Sequence, residues 1–231
     1  MQKVIVLTGA GISAESGIST FRGSNGLWEG YDIRDVATPE AWHRNRALVL
    51  KFYNERRKKL RLVEPNSAHF LLAELERDFK VVIITQNVDD LHERAGSSRV
   101  IHLHGELRKA QSTKDPQLVY DLGDRDIYEG DHCEKGAQLR PYIVWFGEAV
   151  PMFEKAARLC EDAEFFVIIG TSMQVYPAAS LIHYTPKGIP TYFIDPDIPA
   201  EVGDAGIICI NEKATTGMAL LMEMLLKEKV S

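Results

Sequence analysis

The chain is poor in cysteine, and the three it has, Cys133, Cys160 and Cys209, are odd in number and widely separated. That excludes a disulfide framework and any Cys-x-x-Cys metal pair, and it suits a reducing compartment. Eighteen consecutive apolar residues occur nowhere, which excludes a conventional membrane-spanning helix. The amino terminus has too short an apolar run for a signal-peptide core. The expected location is therefore the cytoplasm, without membrane attachment. Excess positive charge is also missing: a formal net charge of -6 and a pI near 5.7 argue against a nucleic-acid partner held through phosphates. Internal repeats and low-complexity tracts are lacking too.

What is present is a chain of 231 residues, 45% hydrophobic, able to bury a full core. Its organising stretch is Val4 to Gly17. A β-branched and leucine-rich run reads as a buried strand and ends in Gly9-Ala10-Gly11, with Ala14 completing a G-x-G-x-x-A pattern. Such a turn lets backbone N–H groups and a helix start face a pyrophosphate; a tight glycine turn without ligand is the other reading. Apolar strands running into polar ends recur at Lys80–Asn87 and Phe165–Ser172, with a further strand at Thr191–Ile194. Interleaved with helical stretches, they predict a parallel, doubly wound α/β sheet with ligands at the carboxyl ends of its strands. Thr38 and Pro39 mark a helix start, and a closing helix over 216–229 is expected to bury Leu220, Met224 and Leu225. Residues 106–140 lose periodicity and read as part of a small inserted module.

Three strand ends carry polar clusters: Gly9-Ala10-Gly11, Gln86-Asn87-Val88-Asp89 and Gly170-Thr171-Ser172. In a parallel sheet they share one edge and can converge on one nucleotide. Asn87 and Asp89 read equally as a helix cap before Leu91. A fourth strand end delivers Asp195, whose carboxylate suits ribose hydroxyls. His102-x-His104 at alternate strand positions is expected to present both imidazoles on one side; without companion ligands, a general base or a core histidine outranks a metal site. Tyr53 and Arg56, three apart on a helix, can share a face and read either as a clamp on one carboxylate or as part of a solvated basic face with Arg57, Lys58, Lys59 and Arg61. The run Val144–Glu148 continues a predicted strand over 142–148.

The strings GAGISAESGISTFR, TQNVD, HLHG, VWFGE and GTS, in that order, resemble the sirtuins, NAD-dependent protein lysine deacylases, along nearly the whole chain. The resemblance implies one catalytic unit over 1–231. Within it, a Rossmann-like domain takes roughly 1–27, 78–105 and 140–231, and a small module takes roughly 28–77 and 106–139. It implies that His104 is the base that takes a proton from a ribose hydroxyl. NAD contacts are implied at Gly9, Ala10, Gly11, Ser13, Glu15, Phe21, Arg22, Trp28, Gln86, Asn87, Asp89, Gly170, Thr171, Ser172, Asp195 and Ala214. Acylated lysine of a protein or peptide would lie along Val144, Phe146 and Gly147. Tyr-x-x-Arg at Tyr53 and Arg56 resembles the sirtuins that remove succinyl and malonyl groups beside acetyl groups. Nicotinamide and O-acyl-ADP-ribose would be released. An NAD-linked oxidoreductase and a non-catalytic NAD-sensing module are the alternatives.

Two departures from the family pattern stand out. Asp195 occupies a position that is usually Asn. Where sirtuins carry two Cys-x-x-Cys pairs around zinc, this chain has Leu107–Ser112 and Asp131–Lys135 with one cysteine. No structural zinc is expected; packing of Leu118, Tyr120, Leu122 and Tyr128 is expected to hold the module instead.

Overall fold

The structure, a computed structural model, describes residues 1–20, 27, 28, 30–198 and 206–230. In chain order the strands are β1 (Lys3–Thr8), β2 (Leu27–Trp28), β3 (Tyr31–Asp32), β4 (Lys80–Thr85), β5 (Val100–His102), β6 (Gly105–Ser112), β7 (Val119–Asp121), β8 (Leu139–Ile143), β9 (Phe165–Ile169), β10 (Thr191–Ile194) and β11 (Ile208–Ile210). The helices are α1 (Ile33–Val36), α2 (Pro39–Arg44), α3 (Arg46–Leu60), α4 (Ser67–Leu75), α5 (Leu91–Arg94), α6 (Phe153–Cys160) and α7 (Ala214–Val230).

Six strands form one sheet in the order β11-β10-β9-β1-β4-β5, every neighbouring pair parallel. Successive side chains of a strand point to opposite faces, so a strand in the middle of a covered sheet must be apolar at every position. In β1, Val4 and Val6 enter a core with Leu72 and Leu75 of α4 and Met218, Leu221 and Leu225 of α7. Ile5 and Leu7 enter the opposite core, with Ala156 and Cys160 of α6 and Leu181. Each such fully buried side chain contributes about 1.5–3 kcal/mol. The expected doubly wound sheet is what these residues build.

A second body packs α1, α2 and α3 on the antiparallel sheet β7-β6-β8, around Trp42, Phe52, Tyr53, Leu107, Leu139 and Trp145. Thr38 caps α2, its Oγ1 accepting from the Ala41 N–H at 3.0 Å, with Pro39 in the first turn.

Several expectations give way. The stretch 106–140 is built on β6, β7 and β8. Its signal was hidden because β7 is three residues long and the β6–β8 register shifts between Gly105 and Ala110, which breaks the two-residue alternation. The strand expected over 142–148 stops at Ile143; Gly147 has φ +90° and Glu148 N–H donates to the Trp145 carbonyl at 3.0 Å, which makes a turn. On α7 Leu225 is buried as expected and Met224 packs partly buried on the same core, but Leu220 is exposed and Met218 and Leu221 complete the inward face. Within the second body Leu122 is buried, but Tyr128 is 62% exposed; Ile127 fills the interior instead. Helix α4, which the expected division over 28–77 assigns to the small module, packs on the large sheet, because Asn66 begins it after the chain has already returned to that side. Residues 178–184 form 3-10 turns.

The one cysteine of the second body, Cys133, is buried with its Sγ 3.3 Å from Ser112 Oγ. A single thiolate does not fit a tetrahedral thiolate site. Among the described residues no helix is long and apolar enough to cross a membrane.

Candidate active site

The carboxyl ends of β1, β4, β9 and β10 lie side by side, and the loops leaving them are stitched together. Gly9 N–H donates to Ile169 O at 3.0 Å, Gly11 N–H to Gly170 O at 2.8 Å, and Gly170 N–H to Ile194 O at 2.9 Å. The Gln86 amide donates to Thr171 Oγ1 at 3.0 Å and the Asn87 amide to Gly9 O at 3.1 Å. Between this edge and the second body opens a cleft of about 730 Å³. Gly9, Ala10, Gly11, Glu15, Gln86, Asn87, Asp89, Gly170, Thr171, Ser172, Asp195 and Ala214 all line it, as do His104, Tyr53, Arg56, Val144, Phe146 and Gly147. Residues from eight separate stretches of sequence thus line one cleft.

Ser13 is the exception among the described residues expected to touch a cofactor. It is fully buried beneath the cleft, where the Asn87 amide donates to its hydroxyl at 3.3 Å and that hydroxyl donates to the Asp89 carboxylate at 3.1 Å. It holds the liners and does not face the opening. Asp89 lines the cleft and also accepts from Leu91 N–H at 3.2 Å, but the residue that caps helix α5 is Asp90, which makes no side-chain cap bond. Burial pushes the Asp89 carboxyl up to about 6, with the Leu91 and Ser13 hydrogen bonds opposing. Glu15 lines the cleft and accepts from the backbone and hydroxyl of Thr215 at 3.1 and 3.0 Å, which ties the first loop to the start of α7. Asp195 is buried and accepts from Asp197 N–H at 2.9 Å. Phe21 and Arg22 lie outside the described residues. For Trp28 the backbone alone is described, paired with Tyr31.

The two histidines part company, because β5 ends at His102 and the strand alternation no longer governs His104. His102 donates its Nδ1–H to Asn87 O at 3.2 Å and pairs through Nε2 with Glu93 at 2.8 Å. Burial pulls its pKa down, but the Glu93 and Glu106 carboxylates win and hold it above the ordinary value. His104 faces the cleft, and its Nδ1 lies 3.0 Å from Gln86 O. A carbonyl only accepts, so Nδ1 carries the hydrogen and Nε2 keeps a lone pair. Burial lowers the His104 pKa against the pull of the Gln86 carbonyl. Near neutral pH it is an uncharged imidazole with a basic nitrogen, as proton abstraction requires.

Helix α3 divides its basic residues. Lys58 and Arg61 reach Asp126 at 3.6 and 3.8 Å, while Arg57 is buried, donating to Leu107 O and Asn54 Oδ1, both at 2.6 Å. Arg56 is buried with its guanidinium 5.4 Å from the Phe52 ring centre, and it shares the cleft wall with fully buried Tyr53. The solvated-face reading does not hold for Tyr53, Arg56 and Arg57. Cleft residues that sequence reasoning missed include Tyr176, Pro177 and Lys213. Tyr176 and Pro177 had a weak signal, following closely on a strand end already marked as functional; Lys213 had none.

A parallel sheet presenting glycine turns, amides and a neutral histidine at its carboxyl edge, closed by a second α/β body, defines a dinucleotide-binding enzyme of the Rossmann-like class. Residues 9–177 match the Sir2 family, and the chain belongs to that family. It is 52% identical over 231 residues to an NAD-dependent protein deacylase of Bacteroides thetaiotaomicron, covering 98% of this chain and 99% of the relative. Among solved structures, a mutant Sir2 homologue in complex with ADP-ribose superposes with a TM-score of 0.88 at 40% identity, covering 98% of this chain and 92% of the other. A Sir2 homologue–NAD complex superposes at 0.87 with 41% identity, covering 98% and 90%.

Proposed function

We propose that this NAD-dependent protein deacylase removes succinyl and malonyl groups as well as acetyl groups from lysine side chains of proteins, with release of nicotinamide and O-acyl-ADP-ribose. The observation that carries the reading is that Tyr53 and Arg56 enter the same cleft as His104, from the opposite body. A guanidinium in a largely dry wall attracts a carboxylate far more strongly than one in water, and a phenol beside it supplies a second hydrogen bond.

The remaining roles are those the family resemblance implies, and the shared lining of one cleft supports them. NAD, when bound, would supply a ribose carbon as the electrophile for the acyl oxygen, with nicotinamide as the leaving group. The N–H groups of Gly9, Gly11 and Gly170 are bonded between the loops, so the main-chain N–H groups of Ala10, Thr171 and Ser172 and the Ser172 hydroxyl are what these loops would offer the pyrophosphate and riboses. Gln86, Asn87 and Asp89 hold the ribose and nicotinamide end, and Asp195 lies where the adenosine ribose would rest. His104 Nε2 takes the proton from a ribose hydroxyl. Val144, Phe146 and Gly147 offer main-chain and apolar contacts to the peptide on either side of the acylated lysine; backbone pairing of this kind accepts many sequences.

Incubation with NAD and peptides of one sequence, acetylated, succinylated or malonylated, reads out peptide mass and released nicotinamide. Deacylation of all three is expected. Arg56→Met should lower kcat/KM for the succinyl peptide by roughly ten- to hundred-fold, the cost of deleting a hydrogen bond to a charged group, and much less for the acetyl peptide. Equal losses would refute the acidic-acyl assignment, and formation of NADH would refute acyl transfer altogether.

A further inference from the structure

Trp145 is buried in the cleft wall, and its indole Nε1–H donates to the Tyr53 hydroxyl at 3.1 Å. The ring has two close neighbours. The Arg140 guanidinium lies 3.5 Å from its centre, and the Trp42 ring centre is 5.7 Å away. Its main-chain N–H donates to Glu148 at 2.8 Å, and that carboxylate takes both arms of Arg140 at 2.7 and 2.9 Å. Arg140 also donates to Ile143 O at 2.8 Å. The turn from Ile143 to Glu148 is therefore closed on itself around the indole.

An indole nitrogen can only donate, so in this bond the Tyr53 oxygen is the acceptor and its own hydrogen must point elsewhere. Among the described residues the hydroxyl makes no second hydrogen bond. We infer that Trp145 is a positioning residue for acyl-group selection: its indole N–H holds the Tyr53 hydroxyl as a donor toward the carboxylate of an acidic acyl chain beside Arg56. The inference rests on the acidic-acyl reading of Tyr53 and Arg56. A hydroxyl that already accepts a hydrogen bond is polarised into a stronger donor, and one anchored by a rigid bicyclic ring loses little rotational freedom on binding. An acetyl group ends in a methyl and has no acceptor for that hydrogen. The same ring is locked into the turn that lines the peptide side, so the acyl end and the peptide side of the cleft share one rigid support.

The test uses the full chain carrying Trp145→Phe, Tyr53→Phe and both together, with succinylated and acetylated peptides of one sequence. Trp145→Phe keeps an aromatic face for Arg140 and removes the N–H. The succinyl-to-acetyl ratio of kcat/KM should fall roughly fivefold, the range of one net hydrogen bond, mostly through a higher KM for the succinyl peptide. In the Tyr53→Phe background the same change should produce no further fall, because the indole acts through that hydroxyl. An unchanged ratio in the single variant, or losses that multiply in the double variant, would overturn the inference. If Tyr53→Phe and Arg56→Met leave the ratio unmoved, the acidic-acyl reading fails and takes the inference with it; if they lower it and Trp145→Phe does not, the inference alone fails. Should the phenylalanine variant not fold, incorporation of benzothienylalanine at position 145 keeps the bicyclic shape without the N–H, and the same two outcomes decide.

Discussion

Gly11 and Gly170 meet backbone to backbone. A Cβ on Gly11 would lie 2.5 Å from the Gly170 Cα, and one on Gly170 would lie 2.4 Å from the Ile12 nitrogen, while Gly170 itself has φ +62°. Read from the sequence, the glycines leave room for a ligand; in the structure they first leave room for each other. The nucleotide loop after β1 rests directly on the turn after β9, and the cleft floor exists because neither has a side chain there.

Gly11→Ala should therefore damage the protein even without cofactor. A methyl forced against main chain costs about 1–3 kcal/mol, and a chain of this size loses about 2–4 °C of Tm per kcal/mol. Thermal unfolding of the apo variant checks it. An unchanged apo Tm with weakened NAD binding would return the glycine to a purely ligand-facing role.

His104→Ala should reduce kcat/KM for every acylated peptide by about 10²–10⁴, the span of a lost general base, with NAD affinity largely kept. Because burial holds the pKa of His104 below its ordinary value of 6.5, the acid limb of the wild-type profile should have its midpoint below that value. A midpoint above it would show a different titrating group.

Asp89 makes stability depend on pH in a defined sense. Its carboxyl is raised from 3.8 to about 6 in the folded chain, so between these values the folded state binds more protons than the unfolded one. The contribution of this group to stability thus falls as pH rises through that window and is lowest above it. Asp89→Asn should remove that slope: the change in unfolding free energy between pH 4.5 and 7 should shift by roughly 2 kcal/mol in favour of pH 7. Urea titrations at the two pH values decide the matter, and an unaltered pH dependence would mean that Asp89 is not desolvated.

Purified chain should carry no stoichiometric zinc, and treatment with a strong chelator should leave Tm and deacylation unchanged. The second body has one thiol, Cys133, beside Ser112, and its interior is apolar packing that includes Leu107, Ala110, Leu122 and Ile127. Elemental analysis finding one zinc per chain after dialysis would contradict this.

Covalent sequence alone determined the large sheet and its ligand edge. Strands such as Val4–Leu7 and Phe165–Ile169 are apolar at every position because both faces are covered, and that is a local property of the string. Polar and glycine residues directly after them had to sit at strand ends on one edge, which made the cleft legible before any coordinates. The tertiary structure decided what local pattern cannot encode. It turned residues 106–140 into a sheet whose bulge hides its alternation, ended a strand at Ile143, sent Ser13 below the cleft, and gave His102 a carboxylate while leaving His104 neutral. The placement of Ser13 and the state of His104 depend on partners distant in sequence, Asp89 and Gln86, as does the hold of Trp145 on Tyr53. Hydrogen bonds and desolvation act across space, so the charge state and direction of a side chain follow from what the fold brings beside it.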